Sequence, residues 1–209
     1  NTSSERLMDI QWGTFAPDIA PSQRRLQTLG LTTAIRHYNE RSVPGLGGLW
    51  FGMPIAWSLL GVWLAEELDA RFRPLTCANA IEAAVMVQAL KEHRNRARGA
   101  RKLAGISDPS FKGLSSHGVY VTQPYRMGTV EPLLRLGLVV GASQRFNLYR
   151  LSPAGERILE SLRNEQNKLR AWASGSSLKR LPRLAPDTPL PAHSAKLLER
   201  QLREHGDAH

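Results

Sequence analysis

The sequence predicts an α+β fold that is mostly helical, and the order of elements in one region carries this prediction. Residues 122–157 read as a helix, two short strands and a second helix. A leucine-rich stretch closed by Gly137 ends the first helix, and residues 145–151 alternate in the manner of a strand. Ser152 and Pro153 then supply the cap and the first turn of the second helix.

An uncharged run upstream predicts a buried helix. Residues 45–65 form 21 consecutive positions without a charge, a length that could cross a bilayer. Several glycines, Pro54 near the middle and tryptophans spread along the run are unlike a membrane span, whose aromatic residues collect at its ends. We therefore expect no membrane association, and a helix from Pro54 to about Leu68 that packs into a core or a subunit interface.

Capping patterns predict the helices that follow. Asn79, with Glu82 three residues later, predicts a capping box and a helix over residues 80–98. Asp108 followed by proline predicts the cap of a short helix over residues 109–114. In a helix-turn-helix arrangement, this short helix would position the one after it.

The next predicted helix begins at Thr122 and continues to about Leu136. Pro132 lies in its interior, where it removes one backbone hydrogen bond and presses on the carbonyl of Gly128. The sequence therefore predicts either a single bent helix or two separate turns. The two strands that follow would form a hairpin with its tip at residues 141–145.

Two short motifs in this region resemble a known class of regulators. The L-x-x-L-G-L-V element at residues 133–139 and the Y-x-L-S-x-x-G-E element at residues 149–156 resemble the corresponding stretches of MarR-like and PadR-like winged helix-turn-helix proteins. The resemblance covers roughly residues 79–169. It implies a DNA-binding domain in which the second helix of the motif enters a groove and the hairpin acts as a wing.

The rest of the chain is expected to be arranged around this domain. A serine- and proline-rich stretch predicts a linker, and an amphipathic pattern predicts a terminal helix that docks elsewhere. The expected regions are a helical N-terminal region with a buried Trp-rich helix at 1–75, a winged-helix domain at 76–172, a linker at 173–191 and a C-terminal helix at 192–209.

The charge distribution points to the same region. The chain carries a net charge of +10, but residues 91–180 hold 17 Lys and Arg against 6 Asp and Glu. The remainder of the chain is therefore close to neutral. A basic patch attracts the phosphate backbone of DNA and gains affinity from the counterions that binding releases, although a merely solvated basic face is the alternative.

The residues expected to contact duplex DNA fall into two groups. Gln123, Tyr125, Arg126 and Thr129 would face a groove, because Gln and Arg can bond in a bidentate manner to adenine and guanine. Tyr125 has an alternative role as an anchor in the core. The second group consists of cations expected to hold the phosphate backbone: Lys91, Arg94, Arg96, Arg98, Arg101, Lys102, Lys112, Arg145 and Arg150.

Two surfaces are expected to contact a second copy of the chain or a partner protein. One is the region of Trp50, Trp57 and Trp63, and the other is the predicted helix at residues 153–172, whose apolar stripe could equally pack on its own domain. A protein-interaction module that uses the winged helix and the Trp-rich helix as scaffolding surfaces is therefore the alternative function.

No catalytic, metal or cofactor site is predicted. Ser176 and Lys179 match an S-x-x-K spacing, but they fall in the predicted linker, and the early glycines lack the Lys-Ser/Thr of a phosphate-binding loop. Cys77 is the only cysteine, which excludes an intramolecular disulfide and fits a reducing compartment. Residues 1–11 lack the pattern of a signal peptide, so we expect a cytoplasmic location.

Overall fold

The computed structural model of the chain describes residues 30–43, 45, 52–93, 98–106 and 109–206. Within these ranges the fold is mostly helical and contains one two-stranded antiparallel sheet, which confirms the predicted class at this coarse level. The helices are α1 (Leu31–Ser42), α2 (Met53–Glu67), α3 (Pro74–Lys91), α4 (Ala100–Leu103), α5 (Phe111–Leu114), α6 (Val130–Arg135), α7 (Pro153–Leu159), α8 (Arg163–Ala173) and α9 (Ala192–Gly206). The strands are β1 (Val139–Val140) and β2 (Arg150–Leu151), and 3₁₀ helices cover Tyr125–Thr129, Phe146–Leu148, Glu160–Leu162 and Pro182–Leu184.

Helices α2 and α3 form the centre of the molecule. As predicted, Pro54 lies in the first turn of α2, and twelve of the fifteen residues of this helix are buried. At Gly61 the two helices approach so closely that an added Cβ would lie 2.4 Å from the Cβ of Ala78. From residue 53 onward, the uncharged run therefore forms the buried helix that the sequence predicts.

Helix α3 begins six residues earlier than predicted and ends earlier as well. Arg73 is extended, with φ −74° and ψ 147°, and Pro74 takes the first helical position, where its missing N–H costs nothing. The proposed capping box is wrong, because Asn79 and Glu82 lie inside the helix. Pro74 provides the stronger start signal.

The short helix α5 also has a different cap from the one predicted. Ser110 precedes it in an extended conformation, and its Oγ accepts a hydrogen bond from the Gly113 N–H. The predicted cap at Asp108 lies outside the described residues. The helix itself ends at Leu114, as expected.

The region predicted as one helix from Thr122 forms two separate turns. A 3₁₀ helix covers Tyr125–Thr129 and α6 follows directly, so Thr122 lies in the preceding loop. Pro132 is the third residue of α6, in the first turn, where proline is tolerated. We call these two turns together the 125–135 segment.

The two strands pair as expected, but the turn between them is longer than the predicted tip. Val139 pairs with Leu151 and Val140 with Arg150, and a 3₁₀ helix occupies part of the connection. We call residues 139–151 the hairpin. The Tyr149 hydroxyl donates to the Val130 carbonyl at 2.8 Å, which fastens the hairpin to the start of α6.

The predicted helix start at Ser152 and Pro153 is confirmed. The Ser152 Oγ accepts from the Gly155 N–H at 3.1 Å and donates to the Gly137 carbonyl at 2.6 Å. A Cβ at Gly155 would lie 2.2 Å from the Leu138 carbonyl oxygen, so the close approach of α7 to the residue before β1 requires glycine there.

The predicted linker is packed against the core. Leu181 and Leu184 are buried, and the Trp57 indole N–H donates to the Leu184 carbonyl at 2.9 Å. The Gln88 side chain bonds to both the Lys179 carbonyl and the Leu181 N–H. Residues 174–191 therefore form a strap across α2 and α3, held by contacts that composition alone does not indicate.

Helix α9 folds back onto α7. Ser194 is fully buried, and its hydroxyl donates to the Ile158 carbonyl at 2.6 Å. One continuous cluster of buried apolar side chains joins α2, α3 and α5 to α9. Every predicted region of the chain thus contributes to the same core. Among the described helices, none has both the length and the apolar character that a membrane span requires.

Candidate nucleic-acid interface

A buried carboxylate connects α3 to the 125–135 segment. Glu82 is 1% exposed, and its carboxylate accepts from the Tyr120 hydroxyl at 2.8 Å, the Tyr125 N–H at 2.8 Å and the Arg126 N–H at 3.1 Å. Burial raises its pKa, while these hydrogen bonds and the charge of Arg98 lower it in part. Glu82 therefore satisfies the first backbone donors of the 3₁₀ helix, a role that its predicted place in a capping box did not suggest.

Two predicted cations hold the loop before this helix. The guanidinium of Arg98 lies 3.8 Å from the centre of the Tyr125 ring, and its Nη1 donates to the Gln123 carbonyl at 2.8 Å. The Lys102 Nζ donates to the Gly118 and Tyr120 carbonyls at 3.3 and 3.1 Å. These residues keep their positive charge on the surface while their bonds fix the loop in place.

Arg126 is held from two sides. Its Nε donates to the Asn79 Oδ1 at 2.9 Å, and its guanidinium lies 5.2 Å from the centre of the Phe146 ring. Burial lowers the pKa of Arg126, and the negative charge of Glu82 opposes this change. The side chain is thus oriented by both α3 and the hairpin. Its two terminal nitrogens form no hydrogen bond with another described residue.

Two of the residues predicted to face a groove serve mainly the interior. Thr129 is 0% exposed, and its hydroxyl bonds to the Ser58 hydroxyl and to the Arg126 carbonyl, so the prediction that it contacts DNA is wrong. Tyr125 packs edge-on against the Trp57 ring at 5.9 Å, which agrees with the alternative role as an anchor. Gln123, by contrast, is exposed.

A pocket of about 590 Å³ lies where the start of α3, the 125–135 segment and the hairpin meet. It brings together Arg126 and Arg145, which are far apart in sequence, and adds Arg73. Among the residues that the structure describes, no carboxylate lines it. Arg73 is not among the predicted contacts, because the sequence gives no sign that it approaches the hairpin.

A second pocket, of about 330 Å³, adjoins the first and shares Leu75 with it. Its lining includes Lys102, His117 and Thr122, together with two serines, and again no Asp or Glu of the described ranges belongs to it. Lys112 lies beside it, because the Lys112 carbonyl accepts from the hydroxyls of these two serines. The two pockets form one surface, which we call the cationic surface.

Among the other predicted backbone contacts, those that the structure describes do not line these pockets. Lys91 and Arg101 are exposed, at the end of α3 and on α4, whereas Arg94 and Arg96 lie outside the described residues. Arg150 is on a different pocket with Glu66 and Asp69, where carboxylates offset its charge.

Carboxylates collect in a separate groove of about 610 Å³ between α2, α7 and α8. Glu67 pairs with Arg170 at 2.6 Å, and the same guanidinium lies over the Trp63 ring. Burial raises the pKa of Glu66, although the Leu151 N–H donates to this carboxylate. The described carboxylates thus line pockets other than the two of the cationic surface.

The two surfaces predicted for partners are largely occupied within the chain. Trp57 is buried, Trp63 is half-buried, and Trp50 lies outside the described residues. In the predicted helix at residues 153–172, Ile158, Leu169 and the other stripe residues are fully buried in the common core. The stripe therefore packs on its own domain, which was the alternative for this helix.

No family model, curated protein or solved structure matches this chain. In the ranges that the structure describes, no group of three or more His, Cys, Asp and Glu side chains could hold a metal ion. The geometry of the cationic surface is therefore the main guide to function.

Proposed function

We propose that this chain is a non-catalytic DNA-binding protein, either a transcriptional regulator or the DNA-engaging subunit of a larger complex. The observation that carries the proposal is the cationic surface. Its two adjoining pockets hold three arginines, one lysine and one histidine, and no described carboxylate is in their lining. The positive charge of such a surface attracts the phosphate backbone of DNA.

A winged-helix arrangement is part of this proposal. In it, α3 is the first helix, α5 is the positioning helix, the 125–135 segment enters a groove and the hairpin is the wing. The order of elements and the tie between Tyr149 and Val130 support this assignment. The segment that would enter the groove starts as a 3₁₀ helix, so we expect a shallower entry than a long recognition helix makes. A role on DNA also fits a cytoplasmic location.

Individual side chains have distinct roles in the proposed complex. Gln123 and the terminal nitrogens of Arg126 would approach base edges or phosphates, since both side chains reach the surface. Arg98 and Lys102 would contribute charge while they hold the loop. Arg145 would contact the backbone from the hairpin.

Fluorescence anisotropy with a labelled duplex tests this function. We expect the affinity of the parent protein to fall steeply with salt, by a logarithmic slope of about 0.9 for each phosphate contact. The variant with Arg126→Ala and Arg145→Ala should bind at least tenfold more weakly, on the order of 1.4 kcal/mol. A matched variant with Arg200→Ala and Arg203→Ala removes two charges from α9, where both arginines pair with glutamates, and should bind like the parent.

Circular dichroism and thermal unfolding of each variant separate lost contacts from lost structure. The proposal is wrong if the parent shows no salt-dependent affinity for duplex DNA. It is also wrong if both double variants lose the same affinity, because the charge would then act without regard to position.

A protein-interaction module is the second candidate, and α1 favours it. Leu31, Ile35 and Tyr38 are 64%, 43% and 67% exposed, and their spacing puts them on one side of the helix. A homo-oligomer built on α1 would bury this stripe. Light scattering on the parent and on Ile35→Glu tests it. An oligomeric parent whose variant has the mass of a single chain supports the module, and a monomeric parent rejects it.

A further inference from the structure

We propose that Arg73, Arg126 and Arg145 together bind one phosphate group, and that Arg73 is a DNA contact outside the predicted binding region. This inference rests on the proposed function and adds a defined ligand site to it. The pocket lies between residues that are more than 50 positions apart in the sequence, with Arg73 before α3 and Arg126 at the 3₁₀ helix. Arg145 closes it from the hairpin.

Within the described part of the chain, none of the three guanidinium groups forms an ion pair, although the charge of the buried Glu82 carboxylate acts on Arg126. No hydrogen bond or ion pair of the Arg73 or Arg145 side chain joins it to another described residue. Glu131 is connected to the pocket through Gln144, but its carboxylate also pairs with Arg135 at 3.5 Å. Three like charges that share one pocket repel one another, so an anion placed among them would be stabilised.

Arg126 is already oriented for such a ligand. Asn79 occupies its Nε and the Phe146 ring lies under its guanidinium, so the conformational cost of ordering this long side chain is met before the ligand arrives. Both terminal nitrogens remain as donors, and this edge of a guanidinium can bind two oxygens of one phosphate.

An amide adds a neutral donor to the pocket. The Asn147 Oδ1 accepts from the Leu75 N–H at 3.1 Å, and because an N–H can only donate, this bond fixes which end of the amide is oxygen. The Asn147 Nδ2 is therefore a donor. The remaining lining is largely apolar, with Leu75, Val130 and Leu148. A lining that combines charged and neutral donors with apolar side chains suits a compact tetrahedral anion.

The phosphate can come from two places on DNA, an internal phosphodiester or a 5′-terminal phosphate. Anisotropy with two versions of one blunt duplex distinguishes them, one version with 5′-hydroxyl and one with 5′-phosphate ends. The variant is Arg73→Gln. The matched control is Arg71→Gln, which removes the same charge two residues away, where Arg71 bonds to the Leu68 carbonyl and does not line the pocket.

If the phosphate is internal, Arg73→Gln should bind both duplexes roughly three- to tenfold more weakly and reduce the salt slope by about 0.9. If it is terminal, the 5′-phosphate should strengthen binding by the parent, and Arg73→Gln should abolish that gain. Either result supports the pocket, provided that Arg71→Gln binds like the parent.

The phosphate site is wrong if the parent binds DNA with the expected salt slope and Arg73→Gln keeps the same affinity and slope on both duplexes. The proposed function would stand in that case. A parent without salt-dependent binding would overturn the proposed function and the DNA ligand together. Inorganic phosphate gives an independent readout: it should raise the melting temperature of the parent more than that of Arg73→Gln. An equal rise in both would also overturn the pocket.

Discussion

Substitution of Glu82 tests how the cationic surface is held together. In Glu82→Ala, three donors lose their acceptor: the Tyr120 hydroxyl and the backbone N–H groups of Tyr125 and Arg126. A buried donor without a partner costs about 1–3 kcal/mol. The Tyr120 hydroxyl bond is buried and the other two are half-buried, where water can partly replace the lost acceptor. Removal of a buried carboxylate returns part of the loss, so we expect the free energy of unfolding to fall by roughly 2–4 kcal/mol.

Glu82→Gln is the matched variant. Its single carbonyl oxygen can replace the carboxylate oxygen that accepts from Tyr120 and Tyr125. Its NH2 group then faces the Arg126 N–H, so this one bond is lost and two donors oppose each other. We expect a loss of roughly 1–2 kcal/mol, smaller than that of Glu82→Ala. Urea unfolding measures both variants, and anisotropy under conditions where both are folded should show a larger loss of DNA affinity in Glu82→Ala than in Glu82→Gln. Equal stability of the two variants would refute the proposed role of Glu82.

The pKa of Glu82 adds a dependence on pH to this comparison. Burial is the largest cause of a raised pKa, so the folded chain binds a proton more readily than the unfolded chain, whose carboxyl has its ordinary value of 4.5. The extra stability that the folded chain gains from this tighter proton binding is fully present below the pKa of the unfolded chain. It is lost as pH rises through the pKa of the folded chain. Relative to the parent, Glu82→Gln should therefore gain stability as pH rises from about 4.5 through that range. A difference that is constant with pH would contradict the raised pKa.

The remaining predictions concern the scaffold. Ala70 has φ 58°, a left-handed conformation that is strained for alanine, so Ala70→Gly should raise the free energy of unfolding by about 0.5 kcal/mol. The control Ala104→Gly, at φ −59°, should lower it. Thermal unfolding measures both, and a loss of stability in both variants would contradict backbone strain at Ala70. Ser152→Ala removes the cap of α7 and should cost about 1 kcal/mol in urea unfolding, and an unchanged midpoint would reject that role. Desolvation raises the pKa of Cys77 to about 12, so a thiol reagent should modify it only after unfolding; prompt reaction of the folded chain would contradict its burial.

Features decided by neighbouring residues could be predicted from the sequence. Ser152 and Pro153 start α7 through contacts within four residues, and Pro54 starts α2 in the same way. The buried character of α2 follows from its uncharged composition, because such a helix has no side suited to water. These signals are local, so no knowledge of the tertiary structure is required to interpret them.

Other features depend on contacts between distant residues. Glu82 meets Tyr120, Tyr125 and Arg126, about 40 positions further along the chain, so its spacing from Asn79 suggested a local cap that does not exist. Thr129 is polar in sequence, but its hydroxyl is satisfied by Ser58 of α2 in the interior.

The candidate site was predictable in part for the same reason. Arg126 and Arg145 follow from the expected helix and hairpin, and the structure brings them to one pocket. Arg73 reaches that pocket only because α3 starts at Pro74 and directs the preceding residue toward the hairpin. Its contribution therefore requires the fold.

Hydrogen–deuterium exchange with and without duplex DNA tests the central claim most directly, because it detects binding and locates it in one measurement. We expect protection of the backbone at residues 118–129 and 141–149, and little change in α9. Protection confined to α1 or to the acidic groove around Trp63, or no change anywhere at saturating DNA, would contradict the assignment of the cationic surface as the DNA-binding site.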